Sequence, residues 1–216
     1  PSSKLQSNRL GMLIGDVQSG KTANIAAITS RALDSGYKFI IILTSNSKDL
    51  RDQTQERIDE AVLGISSNPF MLKNFESKKV GIGLSPNYKE TNAPKPGTNR
   101  SGDFTVSAGR SLSPLLVKDG QVIFVIKKNT STLSNFLNWY QDSSVKSPTD
   151  SLMIIDDEAD YASVNYNEQD PDTDPTKINS LIRQIIHPNL FNKSTYIAVT
   201  ATPFANVFIN ANLEQR

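Results

Sequence analysis

Two clusters in this sequence combine residue types and spacing that suit chemistry on a phosphate chain. The first, Gly15-Asp16-Val17-Gln18-Ser19-Gly20-Lys21-Thr22, fits G-x-x-x-x-G-K-[ST] at every fixed position. Gly15 and Gly20 permit the backbone angles that turn consecutive N–H groups inward as an anion nest, and a helix opening at Lys21 adds the positive end of its dipole. The Lys21 ammonium can reach β- and γ-phosphates, the Thr22 hydroxyl can ligate Mg²⁺, and the nucleotide-contacting run extends through Ala23. The second cluster is the segment Ser151 to Ile155 followed by Asp156-Asp157-Glu158-Ala159-Asp160. One aspartate there can hold the metal while Glu158 orients and deprotonates water. By position after the strand, Asp156 and Asp157 both stand as the metal ligand. A glutamate beside the metal acid argues for hydrolysis rather than transfer to an acceptor.

Both clusters need a frame that brings them to one place. Leu10–Ile14, Phe39–Leu43, Val122–Ile126, Leu152–Ile155 and Tyr196–Thr200 each read as a short, nearly continuous apolar strand, the pattern of a strand covered on both faces. Between them apolar residues recur at three and four over Lys21–Ser35, Lys48–Leu63, Thr132–Gln141 and Thr176–Ile186, which predicts helices. Strand and helix alternate, so the expected fold is α/β with a mainly parallel sheet and helices on both faces. In such a sheet the phosphate loop and the acids emerge together at the carboxyl edge. Residues 66–120 break the alternation with repeated Gly, Pro, Asn and Ser and one possible strand at Val80–Leu84, and they read as an insertion of loops with an edge strand or hairpin.

Composition narrows the chemistry. The 216 residues hold 23 Lys plus Arg, 22 Asp plus Glu, one His and no Cys, for a net charge of +1. Thiol nucleophiles, thiolate zinc sites and His-pair metal sites are excluded. Charge is unevenly spread: Lys73 to Lys128 carries ten basic residues against four acidic ones, and Asp142 to Asp174 carries ten acidic residues opposed by Lys146 alone. A basic face with an acidic pocket and an evenly solvated surface both fit that pattern. No apolar run approaches the roughly 20 residues of a membrane span. The N-terminus lacks the apolar core of a secretory signal, so a cytoplasmic location without membrane contact is expected. A start at Pro1 and motifs running close to the end suggest a single domain, residues 1–216, taken from a longer protein.

The Asp157-Glu158-Ala159-Asp160 box, the Thr200-Ala201-Thr202-Pro203 tetrad and the Leu43-Thr44 to Leu50-Arg51-Asp52-Gln53-Thr54 segment resemble motifs II, III and Ia of superfamily 2 helicases, in the right order. The wording GDVQSGKTAN, LRDQTQERI, VIKKNTSTL, IIDDEADYASVN and VTATPFAN resembles the Z1 domain family, labelled as endonucleases and found beside restriction-modification and other phage-defence components. The resemblance implies a RecA-like P-loop NTPase domain, the first motor domain of a helicase- or translocase-like protein, using ATP and Mg²⁺. It implies Lys21 and Thr22 on the phosphates and metal, Asp157 as metal ligand, Glu158 on the water, and Thr200 and Thr202 coupling nucleotide state to motion. Thr44 and Arg51 would lie near a surface that tracks DNA by its backbone, independent of sequence. A second RecA-like domain would supply an arginine finger, worth on the order of a thousand-fold or more in rate, so this chain alone should hydrolyse poorly. The partners so implied are DNA, that second domain and restriction-modification proteins.

Other features fit less closely. The gap from Thr22 to Asp157 is long, consistent with the basic insertion, and Gln6 is a weak match to the glutamine that reads adenine. The acidic box is already committed to the nucleotide, so cleavage, where it occurs, is expected in another part of the protein or in a partner. Asp170, Asp172 and Asp174 lack Ca²⁺-loop spacing. Arg100, Arg110 and Lys128 could neutralise phosphates, although the insertion reads equally as a solvated loop. His187 reads as a cap or surface residue, and Phe136, Trp139 and Tyr140 as core contacts. A switch ATPase acting through protein partners is the competing function.

Overall fold

The computed structural model describes residues 7–15, 20–68, 78–90, 93–112, 120–142, 146–157, 159 and 171–201. Six strands form one sheet: β1 (Ser7–Ile14), β2 (Phe39–Thr44), β3 (Lys95–Pro96), β4 (Val122–Lys127), β5 (Ser151–Asp157) and β6 (Lys193–Thr200). Their order is β1-β6-β5-β2-β4-β3, and every pairing is parallel. Among the described residues the α-helices are α1 (Lys21–Asp34), α2 (Lys48–Ile58), α3 (Val106–Ser111), α4 (Thr130–Asp142) and α5 (Pro175–Ile185). This is the α/β fold with a parallel sheet that the alternation of elements leads one to expect, in the RecA-like form that the family resemblance implies.

Side-chain alternation along the central strands builds a core on each face. Phe39, Ile41 and Leu43 of β2 join Phe124, Ile126, Leu152 and Ile154 beneath α4 and α5. Ile40 and Ile42 join Ile123, Val125, Met153 and Ile155 beneath α1 and the end of α2, through Ile25, Ala32 and Ile58. A strand buried on both faces cannot alternate with polar residues, which is why β2 and β4 read as continuous apolar runs. The first core is rich in rings. Phe104, Phe124, Phe136, Trp139 and Tyr140 pack with centroids 5.3–6.4 Å apart, so the aromatic helix positions are core.

Three local expectations need correction. β1 is an edge strand rather than one covered on both faces, and Leu10 and Ile14 are 51% and 59% exposed. The helix that starts at Lys48 stays α-helical only to Ile58 and widens into a π-helical turn over Asp59–Leu63. Val80–Leu84 does not form a strand. Gly81–Leu84 is a 3-10 turn, and a Cβ on Gly83 would lie 1.8 Å from the Gly64 carbonyl oxygen, so this backbone packs against backbone. Within 66–120 the edge strand is β3, which adds two residues beside β4. Among the described residues no helix is long and apolar enough to cross a membrane.

Candidate nucleotide site

The phosphate loop leaves β1 at its carboxyl end, where the Gly15 amide donates to the Thr200 carbonyl at 3.1 Å and ties the loop to β6. Asp16, Val17, Gln18 and Ser19 lie outside the described residues. Gly20 caps α1 in the left-handed region, φ 76° and ψ 27°, with no side chain of its own to bond the first amides and open space where a Cβ would sit. Few residues other than glycine adopt that geometry cheaply. Its carbonyl accepts from the amides of Ala23 and Asn24. The first turn of α1 has no acidic residue, and Lys21 and Thr22 there are partly buried. A helix start with a lysine, a hydroxyl and no carboxylate in its first turn suits a polyanion.

The acids sit two strands away. β6 separates β1 from β5, which places their ends about 10 Å apart, room for a phosphate chain between loop and carboxylate. The Ala159 amide donates to the Val199 carbonyl at 3.1 Å, so β6 holds the acid segment as it holds the loop. Alternation then distinguishes the two aspartates. Met153 and Ile155 pack on the α1 side, which puts Asp157 on the face where Lys21 and Thr22 begin α1, partly exposed at the edge. Asp156 points to the opposite face and is fully buried. There its Oδ2 pairs with Lys128 Nζ at 2.9 Å and accepts from the Tyr196 hydroxyl. Burial and the adjacent Asp156 carboxylate push the Tyr196 phenol well above its ordinary pKa. Asp156 is thus committed to the core. Thr22 and Asp157 carry oxygen atoms of the kind Mg²⁺ prefers. Glu158, Asp160 and Thr202 fall outside the described residues, as does Gln6.

The expected nucleic-acid contacts divide. Thr44, Arg51 and Lys128 are 2%, 1% and 2% exposed, so in this arrangement they are not offered to a strand. Arg51 Nε donates to the Val125 carbonyl at 3.1 Å and its Nη1 pairs with Asp52 at 2.9 Å. Burial works against Asp52 ionising, but Lys48 and Arg51 outweigh it and hold its carboxyl below the usual range. The Thr44 hydroxyl turns back to the Ser45 and Ile126 carbonyls. Arg100 reaches Glu56 at 3.0 Å, while Arg110 is exposed in the last turn of α3. Asp172 and Asp174 are helix caps rather than cation ligands: Asp172 accepts from Thr130 and Ser131 at the start of α4, and Asp174 from the Thr176 and Lys177 amides. His187 is exposed and accepts from the Asn189 amide at a turn. Among the described residues no group of three or more His, Cys, Asp or Glu could hold a metal.

Sequence reasoning passed over Arg57, whose Nη1 donates to Thr22 Oγ1 at 2.7 Å, and Tyr196 as the third member of the Lys128–Asp156 pair. No motif marks either one, because both depend on how α2 and β6 come to lie in space.

Comparison with protein families finds that residues 4–205 match the model described as type III restriction enzyme, res subunit. No curated protein and no solved structure matches the chain.

Proposed function

The chain belongs to the type III restriction enzyme res subunit family, and from that premise we propose that it is the nucleotide-driven motor module of a DNA-processing defence protein. Family membership makes it a helicase-like P-loop domain of the ATP-hydrolysing kind. The observation that carries the finer reading is the strand order, with β6 bonded on one side to the loop residue Gly15 and on the other to Ala159 beside the acids. A single strand thus touches both halves of the site and ends in Thr200, which suits a strand that reports nucleotide state. The narrower kinship with the Z1 domain rests on the wording of the five segments quoted above and is part of the proposal, as is association with a nuclease.

In this reading the loop amides and Lys21 bind the triphosphate, and Thr22 with Asp157 holds magnesium. When bound, the metal offsets charge that builds on the transferred phosphoryl group. Glu158 orients the attacking water and takes its proton. Thr200 and Thr202 pass the change in phosphate contacts to a second RecA-like domain, which contributes the arginine finger and shares DNA with this one. DNA contact falls to exposed cations such as Arg110 rather than to the buried Thr44, Arg51 and Lys128.

The test is ATPase activity of the intact protein with and without duplex or single-stranded DNA, beside a Glu158→Gln variant. DNA-stimulated turnover that Glu158→Gln abolishes while nucleotide binding persists supports the motor. Turnover indifferent to DNA would favour a switch that works through protein partners.

A further inference from the structure

Arg57 lies in the last turn of α2, exposed, with its guanidinium hydrogen-bonded to the phosphate-loop threonine, Thr22, at 2.7 Å. Among the described residues no carboxylate lies within ion-pair distance of it. A guanidinium carries five donors, and a neutral hydroxyl is a modest partner for so strong a cation.

The helix that presents Arg57 is firmly held. Arg51, Thr54, Gln55 and Ile58, spaced three and four apart, form its buried stripe. Gln55 donates to Asp59 at 3.0 Å and accepts from Thr98 at 2.8 Å, while the Val125 amide donates to the Thr98 hydroxyl at 2.8 Å. The Ser67 amide and hydroxyl close on the other oxygen of Asp59, each at 2.7 Å. This buried polar chain fixes the end of α2 to β4, and the helix widens into its π-helical turn directly after Arg57 and Ile58. Such turns recur at functional sites. Arg57 therefore projects from a rigid frame toward the start of α1.

Arg57 and the magnesium expected on Thr22 would crowd two cations round one hydroxyl, at a helix start that also carries Lys21, an arrangement tolerated only where dense negative charge lies among them. We propose that Arg57 is a ligand of the nucleotide's terminal phosphate, supplied by this domain itself. In P-loop enzymes the loop threonine would hold the metal at the terminal-phosphate end of the nucleotide, so a guanidinium beside Thr22 addresses that end and not the base. The inference rests on the phosphate-loop reading and extends it by one residue that no motif marks.

The experiment is isothermal titration of the intact protein with the magnesium complexes of ATPγS and of ADP, for wild type, Arg57→Ala, Arg57→Gln, Arg57→Lys and Lys21→Ala. Losing a charge-assisted hydrogen bond should weaken ATPγS binding by about tenfold to a hundredfold in Arg57→Ala and Arg57→Gln. ADP should be affected far less, and Arg57→Lys should recover part of the loss because it restores charge without the planar fork. Arg57 is exposed, so melting temperatures should match wild type. Unchanged or tighter ATPγS binding in Arg57→Ala, with Lys21→Ala still defective, overturns the role of Arg57 and leaves the loop in place. Equal losses for ATPγS and ADP overturn the assignment to the terminal phosphate. No binding by wild type, or normal binding by Lys21→Ala, overturns the phosphate-loop reading beneath it.

Discussion

Replacing Lys128 with methionine tests whether this lysine belongs to the core or to a surface. Its ammonium is 2.9 Å from Asp156 Oδ2, with the side chains 2% and 0% exposed, and among the described residues Asp156 Oδ1 has no hydrogen-bond partner. At an effective dielectric of 20, two charges at that distance attract by roughly 6 kcal/mol, against a desolvation cost of several kcal/mol for each ion. The intact pair therefore adds little net stability, but half of it is expensive. Lys128→Met strands a buried carboxylate and should cost about 3–5 kcal/mol, a large share of the 5–15 kcal/mol typical of a domain. Adding Asp156→Leu should recover only part of that loss, since the stranded charge is gone but the Tyr196 hydroxyl loses its acceptor, at a cost of about 1–3 kcal/mol. Urea denaturation of both single variants and the double variant gives the coupling energy directly. A Lys128→Met variant within 1 kcal/mol of wild type would refute the reasoning, for it would mean water or a nucleic-acid phosphate reaches the ammonium.

Two further outcomes follow from the same physics. Asp172 caps α4 from 42 residues away in sequence, and despite partial burial the hydroxyls of Ser131 and Thr130 hold its carboxyl below the ordinary value of 3.8. A carboxyl whose folded pKa is depressed adds stability above its unfolded pKa and loses it as pH falls through the folded one. Asp172→Ala should thus cost about 1 kcal/mol at pH 7 by urea melts, and the difference should shrink at pH values below 3.8; a gap that persists in strong acid would show that charge is not involved. For DNA binding, Arg110→Ala should lower the slope of log affinity against log salt by about one, and Arg100→Ala by less because Arg100 already pairs with Glu56. Equal slopes for wild type and Arg110→Ala would leave α3 as plain surface.

The central strands were legible because burial on both faces leaves a continuous apolar run that needs no partner to be recognised. The phosphate loop was legible because its glycines answer a local backbone demand, and Gly20 does sit at positive φ. What escaped depends on register. Position after the strand left Asp156 and Asp157 both open beside the metal, whereas alternation in β5 turns one carboxylate toward the α1 face and the other toward Lys128. The buried stripe of α2 runs through Arg51, Thr54 and Gln55, so a search for apolar periodicity finds a helix there but not its inward face. Arg51 then reads as a surface cation, when its stem and guanidinium are spent on the Val125 carbonyl and Asp52. The exposure of β1 could not be read from Leu10–Ile14 because edge position is decided by strand order, which pairs β1 with β6, far away in sequence.

The most direct test of the account is a titration of nucleotide into the intact protein with and without magnesium, comparing wild type with Asp157→Asn. Wild type should bind ATPγS more tightly with the metal present, and Asp157→Asn should keep the metal-free affinity while losing most of the gain from magnesium. An Asp157→Asn variant that responds to magnesium as wild type does would contradict the pairing of the phosphate loop with the acid edge across β6.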